Sequence, residues 1–143
     1  PVNPNNYRNY RRDDILVSLA GIATNLLLAI ITTLLLVLQS RFGGNYRNWN
    51  AFMKGLQELL YMMARINISL AVFNLLPIPP LDGYHVFNDI ILRGRLQLNH
   101  DTFRIAQIVL ILLCISGALS GVLTTVSNWL YNGLLNLWIA IIR

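Results

Sequence analysis

The residues of this chain best suited to chemistry lie in one short stretch, 73–83, with the sequence Phe-Asn-Leu-Leu-Pro-Ile-Pro-Pro-Leu-Asp-Gly. A helix that runs into Asn74 must stop near Pro77, because the proline ring removes a helix hydrogen bond and disfavours helical geometry in the residue before it. Asp82 and Gly83 then close a turn at the end of an apolar segment. A carboxylate at membrane depth is costly and usually functional. The alternative is a plain turn where the chain leaves the bilayer.

The spacing of these residues resembles the asparagine, proline and aspartate-glycine signature of the site-2 protease family, the intramembrane zinc metalloproteases. The resemblance implies that Asp82 is the third protein ligand of one catalytic Zn²⁺. It also implies that Asn74, Pro77 and Gly83 support the site or position the substrate.

A second match lies upstream, in residues 1–8 and 18–25. Both resemble the segment that follows the metal-binding helix in the compact bacterial members, although Ile22 stands where those members usually have a proline. The two motifs occur in the expected order. By this resemblance Asn25 faces the zinc site.

The sequence lacks the rest of a zinc peptidase site. Hydrolysis needs three protein ligands, an open position for water and a base, usually from an H-E-x-x-H helix. The chain has one glutamate, Glu58, and its two histidines, His85 and His100, are fifteen residues apart. His85, three residues beyond Asp82, is a candidate ligand, but the family takes its histidines from elsewhere. We therefore expect a C-terminal part of a longer enzyme, with no catalytic base in this chain and no peptidase activity from the 143 residues alone.

Composition places the chain in a membrane. It is 55% hydrophobic and 12% charged, and its apolar residues fall in long runs. The net charge of +5 comes from basic residues that flank these runs. This arrangement indicates membrane topology and no nucleic-acid partner.

The apolar runs predict an all-α, polytopic membrane helix bundle that forms a single domain. A helix over 15–38 has 24 residues and can cross a hydrocarbon core of roughly 30 Å. A helix over 128–142 reaches only about 22 Å and either crosses a thin region or lies at the interface. The complete prediction is a polar arm at 1–14, three transmembrane helices at 15–38, 59–77 and 103–126, and a fourth short apolar helix at 128–142.

Three patterns predict contacts between these helices. Ser18, Gly21, Asn25, Ala29 and Thr32 fall within one arc of the first span, where small residues allow another helix to approach closely. Arg65 either extends to the near interface or pairs within the bundle. Gly117 and Gly121 have the spacing of a close-packing face.

The basic residues also predict orientation. If the first two long segments both cross, six basic residues lie on one side and three on the other, and the positive-inside rule puts the larger group in the cytoplasm. Asp82 is then on the cytoplasmic side of a bacterial cell membrane. The larger group is Arg8, Arg11, Arg12, Arg93, Arg95 and Arg104, and the smaller is Arg41, Arg47 and Lys54.

The resemblance implies a transmembrane protein or peptide as substrate, with the lipid bilayer as surroundings. Two alternatives remain open. One is a non-catalytic membrane scaffold of the same fold. The other is an ion-coupled transporter component, in which a helix broken at proline exposes Asp82 to an ion.

Overall fold

The computed structural model describes residues 10–92 and 98–142, and within them it confirms the all-α prediction. No strand occurs in these two ranges. The five helices are α1 (Tyr10–Phe42), α2 (Ala51–Asn74), α3 (Asp82–Ile90), α4 (His100–Ile115) and α5 (Ser120–Ile141), with a 3-10 turn at Tyr46–Asn48 between α1 and α2.

The first two helices are longer than predicted. The last five residues of the expected polar arm are helical, because α1 begins at Tyr10, while residues 1–9 lie outside the described part. The loop expected over 39–58 is shorter, because α1 ends at Phe42 and α2 already begins at Ala51. The start of α2 is set by Asn50, whose side-chain oxygen accepts a hydrogen bond of 2.9 Å from the Met53 amide and so caps the helix.

The core is a bundle of α1, α2 and α5, in which α2 runs antiparallel to the other two. Ala29, Ile68 and Val72 form its centre. Of the small-residue arc predicted on α1, Ser18 and Thr32 are 4% and 3% exposed and Ala29 is fully buried. Ala29 packs against Ile68 and Val72 of α2, and Gly21 approaches Asp82 of α3 although it is itself exposed, so the predicted close-packing face is confirmed in part.

The surface of α1 carries large apolar residues, whereas a water-soluble helix exposes mainly polar ones. Four of its buried residues, Ser18, Ala29, Thr32 and Thr33, are small or carry hydroxyls, while Ile22 and Leu36 are also buried. Thr33 is satisfied by donating to the Ala29 carbonyl at 2.7 Å. Eight large aliphatic residues of α1 lie outside. Apolar residues outward and small polar residues inward suit a lipid environment. Those with at least 37% exposure are Leu16, Val17, Leu19, Leu27, Leu28, Ile30, Ile31 and Leu35.

Arg65 pairs within the bundle and does not extend to the interface. Its guanidinium donates a hydrogen bond to the Asn128 side-chain oxygen and lies 5.4 Å from the centre of the Tyr131 ring. One turn along, the hydroxyls of Ser69 and Ser127 are 3.5 Å apart. Polar side chains therefore join α2 to α5.

The predicted division of the C-terminal region is wrong. A continuous helix over 103–126 does not form, because α4 ends at Ile115 and α5 passes straight through the expected boundary at 126–128. The break falls at residues 116–119, where Gly117 takes the left-handed φ of 72° and the Ser120 hydroxyl donates to its carbonyl at 2.6 Å. Gly117 thus serves a turn, and no atom lies within 4 Å of a Cβ placed at Gly121, so the predicted glycine packing face is also wrong.

One described helix is clearly long and apolar enough to cross a membrane, over Arg12–Phe42 of α1. The pair α4 and α5, bent by 76°, gives a second crossing if the two count as one span. The helix α2 is not apolar enough to count as a membrane-crossing candidate, because Arg65, Asn67 and Asn74 lower its mean hydropathy. Of the three predicted spans, the first is the clear candidate among the described residues.

Candidate metal-ligand site

A tight loop brings α3 back beside the end of α2. The helix α2 ends at Asn74, three residues before the proline expected to stop it. The Leu76 amide donates to the Phe73 carbonyl at 3.1 Å, and the Leu81 amide donates to the Ile78 carbonyl at 2.9 Å. These bonds reverse the chain within residues 75–81.

Gly83 is required by this reversal. A Cβ at this position would lie 2.4 Å from both the carbonyl carbon and the oxygen of Leu75, and 2.7 Å from the Leu76 oxygen. The obstacle is backbone that cannot rotate away. Glycine therefore allows the first turn of α3 to lie on the end of α2.

Asp82 begins α3 and directs its carboxylate toward α1. The residue is half-buried, and its negative charge at a helix N-terminus is favourable. Its Oδ2 would lie 3.1 Å from a Cβ placed on Gly21, so the two helices meet at this glycine. Among residues 10–92 and 98–142, no side chain or backbone group pairs with the carboxylate.

A histidine and an aspartate join α3 to α1 beside this contact. His85 Nδ1 lies 2.8 Å from Asp14 Oδ2, and the side chains are 34% and 17% exposed respectively. His85 follows Asp82 by one helical turn, and Asp14 precedes Gly21 by two. The pair therefore fixes how α3 lies against α1. Nothing in the local sequence marks it, since 71 residues separate the partners.

Tyr84 is the buried aromatic residue of the same helical turn. Its side chain is 9% exposed, and its ring meets that of His85 edge-on with the centres 5.6 Å apart. Burial, and to a lesser extent the nearby Asp89 carboxylate, raises the pKa of the Tyr84 phenol above its ordinary value. The phenol is therefore neutral at physiological pH.

The other predicted site residues make no hydrogen bond to Asp82 within the described ranges. Asn25 is half-buried on α1, about 6 Å along the axis from Gly21. Asn74 is half-buried at the last position of α2. Within the described ranges neither amide has a hydrogen-bond partner. Pro77 and Gly83 line one side of an apolar cavity of about 260 Å³ between the loop and α3.

The described residues do not make a complete zinc site. A zinc site needs at least three protein ligands. No group of three or more His, Cys, Asp or Glu side chains that could hold a metal occurs in the part of the chain that the structure describes. The Asp82 carboxylate has the right chemistry for one ligand, because it is an oxygen ligand at the start of a helix and has no partner among the described residues.

Comparison with known proteins identifies a family and a relative. The model of the family described as "Peptidase family M50" matches residues 44–117, a range that includes the 74–83 motif and not Asn25. A Bacillus subtilis (strain 168) protein named "Putative zinc metalloprotease YwhC" is 40% identical over 94 residues. That alignment covers 66% of this chain and 42% of the relative, so the chain spans less than half of the length of that protein. No solved structure matches the chain.

Proposed function

Because the chain belongs to peptidase family M50, the site-2 protease family, we propose that it forms part of an intramembrane zinc metalloprotease and supplies Asp82 as one zinc ligand. The observation that carries this proposal is the presentation of the Asp82 carboxylate. It is half-buried, unpaired within the described residues and placed at a helix start against Gly21. The remaining ligands and the base would come from an H-E-x-x-H helix upstream.

The contribution of this chain is to orient one ligand. A bound zinc would polarise the scissile carbonyl and activate water. Gly83 lets α3 approach the end of α2, Gly21 lets it approach α1, and the contact between Asp14 and His85 fixes its rotation. The carboxylate is then held before metal arrives, and preorganised ligands are what a precise metal site requires.

Asn25 and Asn74 are proposed to position the substrate. Both amides are half-buried and without partners in the described ranges, with Asn25 about one helical turn beyond Gly21 and Asn74 at the end of α2. A peptide must be extended for its carbonyl to reach the metal, and extended backbone exposes the N–H and C=O groups that amides bind. Asn25 and Asn74 are therefore suited to hold such a segment.

The family is membrane-embedded, and the apolar outside of α1 agrees with that environment. We propose a multi-pass arrangement in a bacterial cell membrane, with transmembrane segments of other proteins as substrates and Asp82 toward the cytoplasm. Three of the basic residues behind that orientation, Arg8, Arg93 and Arg95, lie outside the described part. The family match favours a peptidase over an ion-coupled transporter component.

The test uses a longer protein that includes the H-E-x-x-H helix, with cleavage of a transmembrane substrate as the readout. Asp82→Asn should lower cleavage by at least about 100-fold, because loss of a ligand exceeds the effect of losing a group that merely supports one. Asp101→Asn is the matched control, since Asp101 is also an acidic residue in the first turn of a helix. Full cleavage by Asp82→Asn would refute the assignment. No cleavage by the unaltered longer protein would instead favour the scaffold alternative.

A further inference from the structure

Arg65 lies at membrane depth, and the proposed zinc site does not use it. Three residues further along α2, Ile68 packs against Ala29 of α1 in the centre of the bundle. Ala29 is nine residues, or about 14 Å, before the end of the apolar stretch 15–38. Because α2 runs antiparallel to α1, Arg65 is about 5 Å nearer to that end than Ile68. With α1 across the bilayer, Arg65 is therefore about 9 Å inside the apolar layer.

The guanidinium of Arg65 is held in place by neutral groups. It donates a hydrogen bond to the Asn128 side-chain oxygen and lies 5.4 Å from the centre of the Tyr131 ring, both on α5. Among residues 10–92 and 98–142 it makes no other hydrogen bond and no ion pair. A guanidinium has five N–H donors, so most of them remain free. The side chain is half-buried and its contact with Asn128 lies at the surface, so a ligand can reach these donors.

The missing partner of Arg65 is an anion. A cation in the hydrocarbon layer is costly, and such residues usually pair with an opposite charge. Asn128 and Tyr131 orient the guanidinium without supplying that charge. Lipid phosphates lie at the interface and not at this depth, and a free anion would have to give up its hydration. A carboxylate on a transmembrane helix is instead carried to this depth by the apolar residues around it.

The surface around Arg65 suits such a helix. Met62 and Ile66, on the same side of α2, are 57% and 58% exposed, and Trp129 on α5 is 74% exposed. Ser69, one turn beyond Arg65, is also exposed. Apolar side chains beside small and polar ones provide the packing and hydrogen bonds by which helices associate in membranes.

We propose that the α2–α5 face at Arg65 binds a transmembrane helix of another protein that carries an aspartate or a glutamate within its apolar segment. The carboxylate accepts hydrogen bonds from the free guanidinium N–H groups, in the two-point geometry that arginine favours. Charge complementarity selects this partner, because a helix without an acid leaves Arg65 without an anion. The inference rests on the placement of α1 in the membrane and not on the proposed peptidase activity.

The test measures association of the purified 143-residue chain with designed transmembrane peptides in phosphatidylcholine vesicles, by energy transfer between fluorescent labels. Two peptides of leucine and alanine differ only at the position level with Arg65, which is glutamate in one and glutamine in the other. The glutamate peptide should bind about tenfold more tightly, near the top of the range for polar contacts between membrane helices. Equal affinity of the two peptides would overturn the proposal.

Variants locate the preference. Arg65→Gln should abolish it, and Arg65→Lys, which keeps the charge without the planar fork, should keep part of it. Arg47→Gln removes the same charge from the exposed 3-10 turn and should have no effect. Survival of the glutamate preference in Arg65→Gln, or its loss in Arg47→Gln, would contradict the site.

A charge reversal separates loss of the contact from loss of the fold. Arg65→Glu should bind a peptide with lysine at the same level more tightly than it binds the glutamate peptide. Such a gain requires a folded α2–α5 face. An Arg65→Glu protein with native helix content and no preference for lysine would refute direct charge pairing at this position.

Two further measurements distinguish other sources of the anion. Vesicles with phosphatidylglycerol offer anionic headgroups, and loss of the glutamate preference in them would show that a lipid phosphate binds Arg65. The longer protein with the H-E-x-x-H helix should show the same preference as the 143-residue chain. Its absence there would show that a helix of the same protein covers Arg65. Either result would overturn the assignment to a separate protein.

Discussion

Replacing Gly83 with alanine should move Asp82 out of position. The added methyl would lie 2.4 Å from the Leu75 carbonyl carbon and oxygen, whereas ordinary contact begins near 3.4 Å. The start of α3 must therefore retreat by about 1 Å, because backbone cannot rotate away. Metal ligands hold their distances to within about 0.2 Å, so this shift is several times the tolerance. Overpacking of this kind also costs about 1–3 kcal/mol of stability.

Alanine substitutions at two other glycines provide comparisons for Gly83→Ala. Gly55 lies inside α2, where an added methyl would have no atom within 4 Å, so Gly55→Ala should stabilise the chain by up to about 1 kcal/mol. At Gly21 the new methyl meets Asp82 Oδ2 at 3.1 Å, and the carboxylate must give by a few tenths of an ångström. The expected order of damage is Gly83→Ala first, Gly21→Ala second and Gly55→Ala none.

The assay has two readouts. Unfolding of the 143-residue chain in detergent, followed by circular dichroism, measures stability. Zinc content of the longer protein measures ligand geometry. If Gly83→Ala matches Gly55→Ala in both, the close approach of α3 to α2 does not position Asp82 and the structural reasoning is wrong.

Three further predictions use other readouts. Cysteine introduced at Arg47 should react with an impermeant reagent in intact cells, whereas cysteine at Arg104 should be protected, and the reverse pattern would invert the proposed orientation. In the longer protein, Asn74→Ala should express and insert normally yet cleave less well, since such polar contacts in membranes are worth about 0.6–2 kcal/mol. Wild-type turnover would make Asn74 architectural. His85→Ala removes the contact with Asp14 and should therefore speed hydrogen exchange of the α3 amides, whereas His100→Ala should not. Equal protection of the α3 amides in the two variants would show that His85 does not join α3 to α1.

The parts of the fold that the sequence predicts depend on local chemistry. The end of α2 near Pro77 follows from what proline does to a helix, and the small-residue arc on α1 follows from helical periodicity. The break at 116–119 was not predictable in the same way. A glycine in an apolar run fits a packing face as well as a turn, and only the φ of 72° at Gly117 decides between them.

The site likewise has a part that the sequence predicts and a part that it does not. Asp82 and its neighbours are found from spacing and family resemblance, because they lie in one continuous motif. The contacts that orient them come from distant parts of the chain. Asp14 meets His85 across 71 residues, and Arg65 meets Asn128 across 63. Such pairs form only when helices pack, so no local sequence pattern predicts them.

Zinc content tests the central claim most directly. One carboxylate is too few to hold the ion, so the 143-residue chain alone should contain no stoichiometric zinc at Asp82. A longer protein with the H-E-x-x-H helix should bind about one zinc per chain, and Asp82→Ala in that protein should remove the zinc while the helices stay inserted. If the longer Asp82→Ala protein keeps full zinc and full cleavage, Asp82 is a turn residue and the assignment of the site is wrong.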